Sequence, residues 1–247
     1  TAQGVSSYHE GVITQHPQAA NGVLGNKWIK ADHDLWFNAG NRAGVYRYDG
    51  QKIQYVAFPS PKMINPNNRY FVTGLAKGAN GMLWIGTYAG VFGYNGSQFT
   101  LMNDETLGLD AAKGKLHVRS IFEDSKGRLW IGNNGIGVLL RSGESTLNFS
   151  EKHQLIHPNS SRRGATSPPG TLEHVFAIAE DEEGNIWFGD RDTGAWKFDG
   201  EKMKNYTIDA STPMIWSIYR DHDNRLLFGL ANGRIYAFKS GSFELVF

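Results

Sequence analysis

An all-β five-bladed β-propeller, with four antiparallel strands in each blade, is the fold class that three features of this 247-residue sequence predict. A short block centred on a large apolar residue recurs five times. Its copies read DHDLWFNAGNRAGVYRYDG, NGMLWIGTYAGVFGYNG, KGRLWIGNNGIGVLLRSG, EGNIWFGDRDTGAWKFDG and DNRLLFGLANGRIYAFKSG. Their centres, Trp36, Trp84, Trp130, Trp187 and Leu227, are separated by 48, 46, 57 and 40 residues. The 30 glycines and 13% aromatic content point to many tight turns between strands rich in Trp, Tyr and Phe. An alternating apolar stretch precedes the block, with the period of a strand.

The repeats run approximately over 22–56, 70–102, 116–150, 173–207 and 213–247, within one propeller domain spanning 1–247. In each, strand A begins about 13 residues before the centre, as in HVRSIF (117–122) and HVFAIA (174–179), and is apolar enough to pack on both faces. The A-to-B turn carries Gly81, Gly127, Gly184 or Asn224 three residues before the centre, where left-handed backbone is cheap for Gly or Asn. Strand B is LWIG or its equivalent. A loop containing Gly44, Gly90, Gly137, Gly194 or Gly233 leads to strand C, and Asp49-Gly50, Asn95-Gly96, Ser142-Gly143, Asp199-Gly200 or Ser240-Gly241 closes the hairpin to strand D.

No blade can bury both faces alone, so the copies are expected to stack around an axis. With inner strands roughly 10 Å apart, five blades leave an axial channel only about 8 to 9 Å in radius, nearly filled by side chains, with a shallow funnel at one mouth. Residues 243–247 supply the outer strand of blade five. The remaining Gly11-Val12-Ile13-Thr14, in an N-terminal edge segment 1–21, is predicted to add to an outer edge near the seam and protect it.

The formal net charge of +1, without a run of five like charges, argues against nucleic acid or an acidic membrane surface as partner. With no cysteine there is neither disulfide framework nor thiolate chemistry. No apolar run approaches the roughly 18 residues that span a bilayer, so membrane insertion is not expected. The first residue is Thr1, which fits an exported protein whose signal peptide has been removed, or an excised domain.

The fourth copy, IAEDEEGNIWFGDRDTGAWKFDGEKMKNY, closely resembles the two-component regulator propeller repeat, whose members read as an apolar strand, D-x-x-G-x-L-W-I-G-T, a glycine loop and Y-D-G. The third copy, IFEDSKGRLWIGNNGIGVLL, matches nearly as well, and the second keeps NGMLWIGTYAGVFGYNG. The first copy replaces the post-strand glycine with Asn38, and the fifth replaces Trp with Leu227. The resemblance spans roughly 22–247. It implies an export-associated, periplasmic or extracellular ligand-binding scaffold, because such propellers form sensor parts of hybrid kinases and often recognise carbohydrate breakdown products.

Strand A starts and B-to-C loops converge on one propeller face, where the connecting lengths also vary most, so function is expected there. The strand A starts are Val23, Phe71, His117, His174 and Met214. The predicted ligand-binding set is His117, His174, Arg119, Tyr88, Asp190, Arg191, Asn133, Arg42 and Trp216. Equivalent positions in neighbouring blades put the His117 and His174 backbones roughly 10 Å apart, close enough to share a ligand. The bland alternative is a strand-start histidine bonded to a loop. No cofactor is expected; a divalent metal on His117, His174 and Glu173 is the weak alternative. DSKGRLW and DEEGNIW have too few oxygen ligands for calcium and read as structural turns. His153 and His157 read as loop residues, and Trp28, Trp196 and Trp216 as blade core before sugar platforms, although Trp216 begins an inner strand and can reach the mouth.

The leading functional reading is a non-enzymatic sensor or binding module for a small polar ligand, such as a carbohydrate, or a protein loop. A glycosidase is disfavoured because the five axial positions carry no carboxylate. A propeller lyase or metal-dependent lactonase using His117 and His174 is the enzymatic alternative, and a protein-interaction scaffold the third. The segment from Phe149 to Glu173, containing Ser160-Ser161-Arg162-Arg163-Gly164 and Pro168-Pro169-Gly170, is predicted to be an irregular lid over the mouth. Its removal over 158–170 is expected to weaken binding and leave the unfolding midpoint nearly unchanged.

Overall fold

The computed structural model describes residues 5–16, 28–31, 34–40, 42–59, 70–112, 114–158 and 166–247. The fold is an all-β propeller of five four-stranded antiparallel blades, each assembled in chain order from one repeat. The chain divides into two compact units, Thr1–Thr106 and Leu107–Phe247.

The first unit opens with β1 (Val5–His9) and β2 (Val12–His16), which pair with each other as a separate two-stranded sheet. This corrects the expectation that residues 11–14 extend an outer blade edge. Glu10 and Gly11 take positive φ, 46° and 84°, and turn the chain back so that β2 pairs with β1. Blade one follows as β3 (Trp28–Ala31), β4 (Asp34–Asn38), β5 (Gly44–Tyr48) and β6 (Ile53–Ala57). Blade two is β7 (Val72–Lys77), β8 (Leu83–Thr87), β9 (Gly90–Tyr94) and β10 (Phe99–Met102). Between them Trp36, Val45, Phe58, Tyr70, Val72, Leu83, Ile85 and Phe92 form one core, with the Phe58 and Phe92 rings stacked at 4.2 Å.

The second unit holds three blades. Blade three is β11 (Val118–Glu123), β12 (Leu129–Asn133), β13 (Val138–Ser142) and β14 (Ser145–Asn148). Blade four is β15 (Val175–Glu180), β16 (Ile186–Asp190), β17 (Gly194–Phe198) and β18 (Met203–Tyr206). Blade five is β19 (Ile215–Arg220), β20 (Leu226–Leu230), β21 (Ile235–Lys239) and β22 (Ser242–Leu245). The central Trp130 and Trp187 are fully buried at successive blade interfaces. Burial of a side chain this large contributes about 3 kcal/mol each, as an upper estimate.

The A-to-B turns explain why these tryptophans sit so well. Gly127, Gly184 and Asn224 adopt φ of 70°, 78° and 62°, the left-handed backbone their residue types were expected to supply. That turn returns the chain so that Asp124 Oδ1 accepts from the Lys126 and Arg128 N–H groups, while its Oδ2 accepts from Trp130 Nε1 at 2.7 Å. Asp181 repeats the arrangement, accepting from Asn185 N and, at 2.8 Å, from Trp187 Nε1. In blade five Leu227 offers no indole N–H, and Arg225 Nε takes the equivalent Asp221 oxygen at 2.9 Å. The aspartates thus hold the structural turns read from the sequence, and they also anchor the tryptophans, which that reading did not include.

The long connection after blade three differs from the expected irregular lid. Asn148 caps a single helical turn, α1 (Phe149–Lys152), by accepting from Glu151 N at 2.9 Å. Phe149, Leu155 and Leu172 are buried in the core shared by blades three and four. Ser150 Oγ accepts from Val138 N at 3.0 Å, and Leu172 N donates to Leu155 O. Both ends of the segment are therefore built into the blade interface. Residues 159–165, including Arg162 and Arg163, lie outside the described residues.

Candidate functional site

The first strands of blades three, four and five lie side by side, and each begins with a β-bulge at the same position. The register shifts between Val118 and Ser120, between Val175 and Ala177, and between Ile215 and Ser217. The extra residues are Arg119, Phe176 and Trp216. A bulge re-aims its side chain out of the regular alternation, and here three re-aimed groups meet across blades. Arg119 Cζ lies 4.9 Å from the centre of the Phe176 ring, and Phe176 meets Trp216 edge-on at 5.3 Å. Trp216 leaves 49% of its surface exposed at the end of this ladder. It is therefore not core, whereas Trp196 is core and donates Nε1 to Thr193 Oγ1 at 2.9 Å. The Trp28 side chain and Val23 lie outside the described residues.

Beside the ladder, the ends of strands B serve the backbone. Asp190 is fully buried and accepts four backbone N–H groups: Glu173 (3.1 Å) and His174 (2.8 Å) on Oδ2, Asp192 (2.7 Å) and Thr193 (3.1 Å) on Oδ1. Burial pushes its carboxyl up to about 6, with the hydrogen bonds from Asp192, His174 and Thr193 pulling against it. Asn133 holds the equivalent place in blade three and accepts from His117 N at 3.3 Å. Both predicted ligand residues are thus fully buried anchors that join strand B to the start of strand A, and neither offers its side chain to solvent.

His174 is also fully buried, which corrects its expected place at an open mouth. Its backbone bridges to Asn134 of blade three and accepts from Arg191 N. Its two ring nitrogens have no hydrogen-bond partner; the nearest carboxylate oxygen, Asp192 Oδ2, is 3.8 Å from Nε2. Burial, then the Arg191 charge, hold its pKa below the ordinary histidine value against the pull of Asp192 and Glu173. Arg191 is committed to Asp192 through two bonds, Nε to Oδ1 at 2.9 Å and Nη2 to Oδ2 at 2.8 Å. Burial raises the Asp192 carboxyl, yet Arg191 and the Ser167 N–H outweigh that and leave it below the usual range.

His117 is half-buried at the equivalent start in blade three. The metal set of His117, His174 and Glu173 does not assemble. Glu173 is buried and its oxygens accept from His157 N (2.7 Å) and Ser167 Oγ (3.0 Å). Among the described residues, the ligand atoms that do cluster are those of Asp221, His222 and Asp223 on the blade-five turn, where Asp221 is already paired with Arg225. Among the residues of the first unit, Tyr88 is half-buried with its ring edge-on to Phe71 at 6.2 Å. Arg42 lies 3.6 Å over the Tyr55 ring and donates to Tyr46 Oη, so it is turned toward strands β5 and β6 and away from the strand A side of blade one.

Phe176 is the residue that sequence reasoning missed. Its position is equivalent to Arg119 and Trp216, both singled out, so alignment of the repeats would have found it.

The two-component regulator propeller family matches residues 114–135 and 170–192, the segments that carry His117, Arg119, Asn133, His174 and Asp190. No curated protein matches the chain. Among solved structures, the extracellular domain of the hybrid two component system BT3049 from B. thetaiotaomicron is similar over 100% of this chain and 32% of its own, at 21% identity and a TM-score of 0.67. The corresponding domain of BT4673 from the same organism is similar over 93% of this chain and 29% of its own, at 18% identity and a TM-score of 0.63. A catalytically inactive virginiamycin B lyase from Staphylococcus aureus, solved with quinupristin, is similar over 99% of this chain and 77% of its own, at 14% identity and a TM-score of 0.71. At these identities the likeness is one of fold. The chain spans about a third of the two B. thetaiotaomicron domains.

Proposed function

We propose that this propeller of two-component regulator type is a non-catalytic sensor module, exported, that binds a small polar ligand with a flat apolar face, such as a carbohydrate, against the Arg119, Phe176 and Trp216 ladder. The single observation that carries this reading is the exposed Trp216 indole at the end of three re-aimed side chains. An indole face offers a large rigid contact at low entropic cost, and a guanidinium two steps away supplies donors for hydroxyl or acidic groups. Location outside the membrane is in keeping with the extracellular domains it resembles, and no helix among the described residues is long and apolar enough to cross a bilayer. The lyase and lactonase readings lose support because a general base must reach its substrate's proton, and His174 is sealed in.

Titration calorimetry of the protein with a panel of neutral and acidic oligosaccharides tests this. Trp216→Ala is expected to weaken the binding found by at least about tenfold, the scale of losing an aromatic contact of about 1.5 kcal/mol. Its unfolding midpoint should stay within a few degrees of the parent. Equal binding by both proteins would remove the ladder from the site, and no binding to any oligosaccharide would remove the ligand class.

A further inference from the structure

The cluster around His174 has a feature that ligand binding does not use. The chain from Thr166 onward is pinned to blade four through a few polar bonds that converge on one carboxylate. Ser167 N donates to Asp192 Oδ2 at 3.0 Å, the same oxygen that accepts from Arg191 Nη2 and faces His174 Nε2 at 3.8 Å. Ser167 Oγ and His157 N both donate to Glu173, and Thr193 Oγ1 donates to Thr171 O at 2.8 Å. His174 is enclosed beneath these contacts with both nitrogens unpartnered. Buried polar atoms in this condition are rare, and one that can take up a proton is a stored instability.

We propose that His174 is the proton-sensitive element of a latch that holds residues 166–173 on blade four, closed while the imidazole is neutral and released when it is protonated. The ionisable groups around it come from every neighbouring element. Asp192 and Arg191 lie on the loop after β16, Asp190 at the end of β16, Glu173 on the latch itself, His157 on the segment before it, and His117 at the start of blade three. A proton on Nε2 needs an acceptor, and the carboxylate oxygen within reach is Asp192 Oδ2, already shared by Ser167 N and Arg191. Drawing Asp192 into a bond with the imidazolium takes that oxygen from Ser167. Without the shift, an unpaired cation remains buried beside a guanidinium. Either way the latched form binds the proton less well than the released form, so stability is present at neutral pH and is lost as pH falls through the ordinary histidine range. The direction of the His174 pKa agrees with this sense.

Amide hydrogen exchange of the whole protein, corrected for the intrinsic pH dependence of exchange, is the test. Between about pH 7.5 and about pH 5.5, protection of residues 166–173 is expected to fall by about tenfold, since each pH unit below the released-state pKa, near the ordinary histidine value of about 6.5, is a factor of ten in proton linkage. Protection in β20 should not fall, because Asp190 takes up a proton over the same range and adds to global stability. In His174→Phe, or His174→Gln if the phenylalanine variant does not unfold cooperatively, the fall should be under about twofold because nothing titrates in that place. Unchanged protection in the parent over this range overturns the latch, and so does an equal fall in the variant. The His174 ring signals give a second reading: if they report protonation while 166–173 stays protected, the two are uncoupled and the proposal fails.

Discussion

Gly132, at the centre of the blade three to blade four interface, gives the sharpest test of how the repeats stack. A Cβ built there collides with Ser120 Oγ and lies 2.8 Å from Val175 O and 3.0 Å from Val175 Cγ1. The serine hydroxyl can rotate, but Val175 O is backbone in β15, whose register is fixed by five pairs with β16. To restore ordinary contact the next blade's strand must retreat by roughly half an ångström, an overpacking that costs about 1–3 kcal/mol. In a chain of this length that is a fall of about 2–4 °C in Tm for each kcal/mol, so about 4–8 °C at the midpoint of the range. Gly229 is the equivalent residue of blade five, and its added Cβ meets chiefly its own Ser217 side chain. Gly229→Ala should therefore cost less than about 1 kcal/mol, or stabilise slightly by restricting the unfolded chain. Thermal and urea unfolding of both variants decides the matter. If Gly229→Ala is as damaging as Gly132→Ala, or if Gly132→Ala is neutral, close approach of the second strand of one blade to the first strand of the next is not what the recurring glycine of the block serves in this chain.

Three further outcomes follow from the anchors. Asp190 has a folded-state pKa raised to about 6 against an ordinary value near 3.8, so its contribution to stability is fully present below about pH 4 and is lost as pH rises through about 6. That is about 3 kcal/mol over the window, and Asp190→Asn, measured by urea unfolding at stepped pH, should remove this component while leaving one acceptor oxygen in place of two for the four N–H groups. Asp124→Ala leaves the buried Trp130 Nε1 without its acceptor and should destabilise by about 2–3 kcal/mol, read as a lower urea midpoint at unchanged slope. Removal of residues 158–170 takes away Ser167 and its bonds to Asp192 and Glu173, so a drop in Tm of several degrees is expected where a free lid would give none.

By itself the sequence determined the blades. Local rules sufficed because every device that makes one blade lies within about 35 residues: left-handed Gly127, Gly184 and Asn224, the aspartates that hold turn and tryptophan together, and the period-two apolar runs. The direction of a side chain at a strand start was not legible in the same way. His174, Asp190 and Asn133 looked like funnel residues by position, but a neighbouring blade and the returning segment 166–173 close over them, and burial is a property of what packs against a residue. The bulges that turn Arg119, Phe176 and Trp216 toward one another depend on pairing between strands, so no single strand announces them. Likewise the long connection reads as irregular because its composition is, while Phe149, Leu155 and Leu172 gain their places only from the core they complete. Short-range backbone chemistry fixed the repeat; contacts between repeats decided which of its polar residues face solvent and which hold the fold.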